Sequence, residues 1–293
     1  MNSKKTKLYV WASDFSKNSG EGKLARLFKS NLEKNGNHKI ILNKKSKYHR
    51  YIVPFIGIVF CWQKYLKSQN VCYLNYLPLW NFLIFVFLPP KTLLGPITGG
   101  ANFNKSFTFN YFIRAFLFPA FYKISQFCLT FRSKKIIFST DLLKKYLSNK
   151  IKRNCEFNYI LKSVKIKRRV YKSNDFIVYY RKHKNKLHSF PYKFIEKLIH
   201  NKYKIIVVGD RLKIKFVKNL GYISGKNLDK IQSKSKFTIA SNENIYSFFT
   251  LECIQNNVKI IVDKKHKYKV KDFEDSFLIL NLKKFKNFKK IIT

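Results

Sequence analysis

Short apolar segments alternate with longer segments of helical periodicity through the first half of the chain. Residues 8–12 form a predicted strand, and residues 23–35 form a predicted helix because apolar side chains recur there every three or four positions. Strands that alternate with helices favour a parallel sheet. The same pattern predicts further strands at residues 38–42, 71–75, 91–94 and 135–139, and a helix at residues 142–148.

A second α/β series follows a polar, basic segment at residues 149–174. Such segments connect domains, so the boundary is expected between about residues 162 and 174. The fold class is therefore predicted as α/β, with one Rossmann-like domain at residues 1–165 and another at 166–293. The second series contains predicted strands at residues 175–180, 203–208, 217–222, 237–241 and 259–263, and helices at residues 191–201 and 227–235.

The composition adds a strong positive charge, a formal +45 from 60 Lys and Arg against 15 Asp and Glu. Taken alone, this charge suggests a nucleic acid or an anionic membrane as a partner. Most of the basic residues are Lys, however, and Lys, Asn, Ile and Phe have A/T-rich codons, so mutational bias explains much of the excess. Because Lys is spread along the whole chain, the remaining charge is only a weak signal for a membrane or another polyanion.

The expected compartment follows from the cysteines and the apolar segments. Five cysteines, none in a C-x-x-C pattern, predict buried free thiols in a reducing compartment. The apolar segments at residues 51–62 and 76–90 are shorter than the ~20 residues of a spanning helix, and prolines interrupt or bound them. No secretory leader is recognised, so a cytoplasmic protein is expected. For the aromatic segment at residues 103–131 two alternatives stay open: core packing alone, or core packing combined with peripheral contact to the inner face of the cell membrane.

The most informative segment is at residues 242–254, which leads from a predicted strand through a polar loop into a helix. In open parallel sheets ligands bind where such loops leave the carboxyl ends of strands. Backbone amides at the start of the helix can hold a phosphate, and Glu252 can bind ribose hydroxyls. The alternative for Glu252 is an ordinary carboxylate that is stabilised by the helix dipole.

Two cations, Arg181 and Lys186, follow the first predicted strand of the second series. Fixed positive charges at the end of a strand can bind an anionic ligand and stabilise negative charge that develops on it. Arg offers a planar fork to phosphate oxygens and Lys offers a point charge. The alternative is a solvated Lys-rich loop in a Lys-rich protein.

These two segments resemble the donor-binding motifs of GT-B glycosyltransferases of the retaining family-four type, also called glycosyl transferases group 1. In that family an Arg and a Lys five residues further on bind the donor diphosphate, and Arg181 and Lys186 have this spacing. Glu252 matches the second Glu of the Glu-x7-Glu motif. Asn244 stands in place of the first, with Glu243 displaced by one. The resemblance implies two Rossmann-like domains facing a central cleft, the first for the acceptor and the second for the nucleotide-sugar.

The resemblance also implies the residues of both substrate sites. A glycine-rich loop at Gly20 and Gly22 precedes the first helix, although a simple strand-to-helix turn has the same pattern. On the acceptor side, a Gly-Pro-x-x-Gly-Gly stretch contains Thr98, Gly99 and Gly100. The catalytic residues would be Arg181 and Lys186. The donor-binding residues would be Glu252, Asn244, Tyr246, Ser247, Phe248, Phe249, Thr250, Gly209, Gly20 and Gly22.

The activity implied by this resemblance is transfer of a sugar, of the hexosyl type, from a nucleotide-sugar to a surface-glycan or lipid-linked acceptor in polysaccharide biosynthesis. The anomeric configuration would be retained. No cofactor and no metal are expected, since the sequence has neither a D-x-D motif nor a plausible histidine pair. One alternative is a catalytically silent relative, which the substitution at Asn244 favours. The other is a basic nucleic-acid-binding protein, although no recognised nucleic-acid-binding motif is present.

Overall fold

The computed structural model describes residues 6–35, 38–43, 52–99, 112–132, 135–182, 190–242 and 244–285. The chain divides into two compact units, Met1–Lys162 and Ser163–Thr293. Each unit contains its own parallel sheet and its own cluster of buried apolar side chains. The units are therefore described separately.

The first unit is built on a four-stranded parallel sheet in the order β2-β1-β3-β4. β1 and β3 lie side by side at its centre, and the side chains of β3 from Val71 onward are buried. A separate parallel pair is formed by β5 (Ile136–Ile137) and β6 (Cys155–Glu156). The four strands of the main sheet are β1 (Thr6–Ala12), β2 (His38–Leu42), β3 (Asn70–Asn75) and β4 (Leu93–Leu94).

Helices cover this sheet and complete the core of the first unit. α2 begins with Pro54 in its first turn, where a missing amide costs nothing, and its Gly57 packs against Trp11 and Tyr73. α4 continues from a π-helical turn at Ile113–Leu117. The α-helices in the described part of this unit are α1 (Gly20–Asn35), α2 (Val53–Tyr65), α3 (Phe82–Phe87), α4 (Phe118–Arg132) and α5 (Asn149–Arg153).

The structure differs from the sequence prediction at several places of the first unit. Residues 149–156, predicted as part of a connecting segment, contain α5 and β6. The helix predicted at residues 142–148 is wrong: Lys144–Tyr146 is a single 3-10 turn. The α-helix starts later, because Ser148 is extended and its Oγ accepts the amide of Ile151 as an N-cap. The apolar segments that were not assigned to any element contain α2, α3 and α4. Among the described residues no helix is both long enough and apolar enough to cross a membrane.

The second unit is built on a six-stranded parallel sheet in the order β9-β8-β7-β10-β11-β12. Counted within the unit, this order is 3-2-1-4-5-6, the doubly wound Rossmann arrangement. β12 was not predicted from the sequence. The strands are β7 (Asn174–Tyr180), β8 (Ile205–Gly209), β9 (Lys218–Asn219), β10 (Ser235–Ile239), β11 (Lys259–Asp263) and β12 (Phe277–Leu280).

Among the residues that the structure describes, three α-helices connect these strands: α6 (Tyr192–His200), α7 (Gly225–Ser233) and α8 (Phe248–Gln255). α6 buries one apolar face on the sheet, whereas α7 and α8 both start at a serine N-cap. Both units are thus α/β and Rossmann-like, as predicted. All five cysteines are free thiols; Cys61, Cys72 and Cys253 are buried, and Cys128 and Cys155 are half-buried.

Candidate functional site

The sheet of the second unit has its topological switch point between β7 and β10. From β7 the chain continues into β8 on one side of this pair, and from β10 it continues into β11 on the other side. In doubly wound sheets the crevice outside the carboxyl ends of the two central strands is the place where ligands bind. The residues that leave β7, β8 and β10 therefore define the candidate site of this unit.

Arg181 is exposed directly after β7, between Tyr180 and Lys182. The backbone amide of Lys182 donates a 2.6 Å hydrogen bond to Asp210, and the hydroxyl of Tyr222 donates a 2.9 Å bond to the other oxygen of the same carboxylate. These two hydrogen bonds, together with the charge of Arg181, lower the pKa of Asp210. Asp210 therefore stays ionised and fixes the turn that carries Arg181.

Gly209 ends β8 beside Tyr180, its register partner on β7. Its φ is +100°, and a Cβ at this position would lie 2.3 Å from the carbonyl oxygen of Tyr180. Only glycine fits such a position without a backbone shift. Gly209 therefore allows the ends of β7 and β8 to approach closely.

The start of α8 lies next to the end of β7. The ring of Phe249 stacks on the ring of Tyr179, with centroids 5.4 Å apart and planes 26° apart. Ser247 caps the helix, because its Oγ accepts the amide of Thr250 at 3.2 Å and contacts the Thr250 hydroxyl at 2.9 Å. The amides of Phe248 and Phe249 belong to the first turn, where a helix has no internal acceptor for them. They are the groups that could hold an anion at this edge of the sheet.

Two predicted donor contacts shape the loop before α8. The Oδ1 of Asn244 accepts the amide of Tyr246 at 3.1 Å, which closes a local turn. The side chain of Tyr246 is buried, and its hydroxyl accepts the amides of Lys271 and Asp272 at 2.9 and 2.8 Å. Tyr246 therefore ties this loop to the segment that precedes β12. The side chain of Thr250 is buried as well.

Glu252 lies in the second turn of α8 and is half-buried. Its backbone carbonyl accepts both the amide and the side-chain nitrogen of Asn256. Lys269 was not predicted as a site residue, yet its Nζ donates to the carbonyl of Asn242 in the loop after β10. This places a further cation at the candidate site. No sequence motif marks Lys269, because 27 residues separate the two partners.

Three residues named by the sequence analysis, Lys186, Glu243 and Gly100, lie outside the described residues. The roles predicted for Lys186 and Gly100 therefore stay predictions. Within the described residues, no group of three or more His, Cys, Asp or Glu side chains is arranged to hold a metal ion.

The first unit has a polar cluster at its own switch point, between β1 and β3. Ser13 and Asp14 leave β1, and Asn75 ends β3. The side-chain nitrogen of Asn75 donates to the carbonyl of Asp14 at 2.7 Å, and Ser13 Oγ donates to the carbonyl of Asn75 at 3.0 Å. Burial raises the pKa of Asp14, but hydrogen bonds from Ser19 and Ser16 outweigh it and lower the pKa below its ordinary value.

Glu21 and Gly22 open α1 beside this cluster. The Oε2 of Glu21 is buried and has no hydrogen-bond partner among the described residues. Burial, and then the nearby charge of Asp14, raise the pKa of Glu21 to about 7. Gly22 approaches the preceding loop so closely that a Cβ would lie 2.2 Å from the carbonyl oxygen of Ser16. The glycine pattern in the sequence predicted this loop as a site, but it did not indicate Glu21, which lies between the two glycines.

The remaining predicted residues of the first unit lie at separate places. Gly20 is the exposed first residue of α1. Thr98 is buried, its amide donates to the carbonyl of Leu77 at 2.9 Å, and its hydroxyl has no hydrogen-bond partner among the described residues. Gly99 is exposed, with a φ of +53°.

No protein-family model and no curated protein matches this sequence significantly. Solved structures do match it. Anabaena HepE, in complex with UDP and glucose, is 9% identical and gives a TM-score of 0.52 over 98% of this chain and 89% of its own. A glycosyltransferase from Rickettsia africae is 11% identical, with a TM-score of 0.52 over 98% of this chain and 87% of its own.

A third structure, a putative UDP-N-acetylglucosamine 2-epimerase from Listeria monocytogenes, is 8% identical. It gives a TM-score of 0.51 over 88% of this chain and 79% of its own. At these identities the likeness shows the fold alone. The chain has the two-domain, Rossmann-like GT-B fold that glycosyltransferases share.

Proposed function

We propose that this protein is a glycosyltransferase that moves a sugar from a nucleotide-sugar donor to a surface-glycan or lipid-linked acceptor. The second unit would bind the donor, and the first unit would bind the acceptor. We further propose that the transferred group is a hexose and that its anomeric configuration is retained. The enzyme would work in polysaccharide biosynthesis on the cytoplasmic side, peripherally at the inner face of the cell membrane.

The observation that carries this proposal is the set of groups at the switch point of the second unit. Arg181 follows β7, the first turn of α8 carries amides that have no acceptor within the helix, and Gly209 allows the ends of β7 and β8 to approach closely. A diphosphate needs such cations and amides, and their effect is greatest when the leaving group gains charge in the transition state. Two structures of the same fold, HepE and the Rickettsia protein, are consistent with this chemistry, and HepE is in complex with UDP and glucose.

Neither a metal nor any other cofactor is part of the proposal. The charge of the diphosphate would be met by Arg181 and by Lys186, and Asp210 would hold the turn of Arg181 in place. Glu252 would contact the ribose of the donor, and the loop at residues 244–250 would lie against its phosphates. Activity should therefore persist after treatment with EDTA, whereas loss of activity that Mg²⁺ restores would contradict this part.

Calorimetric titration with UDP and then with UDP-, GDP- and ADP-sugars tests the donor site directly. We expect at least one nucleotide to bind, and Arg181→Ala to weaken its affinity by about tenfold, the usual loss for a charge-assisted hydrogen bond. Arg169→Ala is the matched control, because Arg169 is an exposed arginine in the segment before β7, whereas Arg181 follows that strand. Failure of every nucleotide to bind would refute the proposal.

A second candidate function is a silent relative that binds the donor without transferring the sugar. Asn244 favours this candidate, because its amide oxygen is used in a local turn and offers no carboxylate to the donor sugar. Slow hydrolysis of the bound nucleotide-sugar, detected by release of free sugar, would support the enzyme. Tight binding without hydrolysis or transfer to any acceptor would support the silent relative.

A further inference from the structure

The outer face of α2 is apolar instead of polar. Ile52, just before the helix, and then Phe55, Val59, Trp62 and Leu66 are all exposed, the last to 76%. Their spacing of three or four residues places them in one stripe along the helix. The opposite side of α2 packs in the core through residues such as Ile58 and Cys61. This helix therefore has two apolar sides, and the described part of the chain covers only one of them.

α4 and the turn before it repeat this arrangement. Phe116, Ile124, Phe127 and Phe131 are exposed, with Phe127 at 66% and Phe131 at 77%. The rings of Phe127 and Phe131 lie 5.0 Å apart, so they form one aromatic patch. The buried side of the helix carries Leu129 instead.

α3 joins the two stripes. Its Val86 and Phe87 are exposed, and the indole nitrogen of Trp62 on α2 donates a 2.7 Å hydrogen bond to the carbonyl of Phe87. On the other side, the guanidinium of Arg132 at the end of α4 donates to the carbonyls of Val86, Leu88 and Pro89. The exposed apolar residues of α2, α3 and α4 thus lie on helices that contact one another, and we call them the apolar face.

Among its charged side chains, the part of the chain that contains the apolar face carries only positively charged ones. No Asp or Glu occurs between Glu33 and Asp141, whereas Lys and Arg occur throughout that stretch. Lys67 and Lys123 are exposed at α2 and α4. Codon bias can supply lysines but does not remove carboxylates, and the second unit keeps Asp and Glu from Asp175 to Asp275. The lack of acidic residues is therefore a local property of the part of the chain that contains the apolar face.

We propose that the apolar face docks on an anionic phospholipid surface, with its aromatic side chains in the acyl boundary and its lysines at the headgroups. An apolar face on a stretch of chain whose charged side chains are all Lys and Arg fits such a surface, since apolar burial and attraction to anionic lipid add together. A second copy of the chain is a poorer occupant, because pairing two such faces would bring like charges together. The inference extends the peripheral location in the proposed function, but it rests on observations independent of the sugar-transfer site.

Co-sedimentation with vesicles, without any sugar donor, tests the docking. Vesicles of phosphatidylcholine alone are compared with vesicles containing about one quarter phosphatidylglycerol, at low and high salt. We expect binding to the anionic vesicles that weakens with salt. The double variant Phe127→Ser, Phe131→Ser should bind at least about tenfold less, as loss of two buried aromatic rings implies. Phe216→Ser is the control, since Phe216 is 87% exposed but lies in the second unit.

The role of the lysines is tested by comparing two pairs of Lys→Gln substitutions. Lys67→Gln with Lys123→Gln should weaken binding to the anionic vesicles, whereas Lys226→Gln with Lys230→Gln in α7 of the second unit should not. Equal losses in both pairs would mean that binding follows net charge and would overturn the docking face. Absence of binding at low salt would also overturn it. So would a concentration-dependent dimer in solution that the double phenylalanine variant abolishes.

Discussion

The amide of Lys182 donates a 2.6 Å hydrogen bond to the carboxylate of Asp210, and this bond joins the chain after β7 to the chain after β8. Arg181 is the residue between that bond and Tyr180, the last residue of β7. Its backbone is therefore held on both sides, although its side chain is exposed. A cation on a fixed turn can act on a bound anion without first being ordered, which favours catalysis by preorganisation.

Removal of the Asp210 carboxylate should therefore affect sugar transfer through Arg181. Asp210→Ala loses both hydrogen bonds, and we expect kcat to fall by about tenfold, roughly the value of one charge-assisted hydrogen bond. Asp210→Asn keeps one acceptor and should restore part of the rate, whereas Tyr222→Phe removes only the second bond and should lose less. Steady-state kinetics of the three variants decide the point. An Asp210→Asn variant as slow as Asp210→Ala would argue against positioning by this hydrogen bond.

Loss of the Arg181 side chain should lower turnover more than loss of the Asp210 carboxylate. Arg181→Ala should lower turnover by about 100-fold, because a charge contact made to the departing diphosphate is lost in the transition state. Arg169→Ala should leave turnover within about twofold of the wild type. Initial rates with saturating donor separate this effect from weaker donor binding. Unchanged turnover in Arg181→Ala would refute the role of Arg181.

The sequence predicts most of the strands, although not β6 or β12, and it does not predict α2 and α4, for which one physical cause accounts. The strands at residues 38–42 and 259–263 were predicted at their observed limits, because short apolar runs between polar segments are typical of buried parallel strands. α2 and α4 lack the polar face that marks a surface helix. In both, a buried apolar side stands opposite an exposed apolar side, so the helical period is lost from the sequence.

The sequence identifies only some residues of the candidate sites. Arg181 could be selected because it directly follows a strand, and the start of α8 because it comes after a strand and a polar loop. Asp210, Asn75 and Glu21 could not, since their importance comes from partners that the fold brings together across the switch points. Asn75 contacts Asp14, which lies 61 residues earlier in the chain. Tyr246 stays a predicted donor contact, although its hydroxyl binds the backbone before β12.

The glycine-rich loop of the first unit can be tested with a pair of substitutions. A Cβ on Gly22 would meet backbone atoms of Ser16, which cannot move aside without distorting the loop. We expect Gly22→Ala to destabilise the protein by about 1–3 kcal/mol, as overpacking usually does. A Cβ on Gly225 in α7 meets nothing within 4 Å, so Gly225→Ala should change stability by less than about 1 kcal/mol. Urea denaturation measures both, and equal effects would contradict the close approach at Gly22.

The protonation of Glu21 links the stability of the protein to pH. Its pKa is about 7 in the folded protein, against an ordinary value of 4.5, because burial and the charge of Asp14 disfavour the carboxylate. The folded state therefore keeps a proton that the unfolded chain releases between pH 4.5 and 7. Stability from this group is complete below about pH 4.5 and declines as the pH rises through about 7, by about 3 kcal/mol in all.

Glu21→Gln should remove this decline, because glutamine has nearly the same shape and stays neutral at every pH. Measured by urea denaturation, the variant should match the wild type near pH 4.5 and be more stable by up to about 3 kcal/mol at pH 8. Glu33→Gln is the control, since Glu33 is exposed on the same helix and forms an ion pair with Lys29. Its effect should stay below about 1 kcal/mol across this range, as is usual for surface ion pairs. If Glu21→Gln and the wild type lose stability in parallel from pH 5 to pH 8, Glu21 is ionised in the folded protein and another group carries the pH dependence.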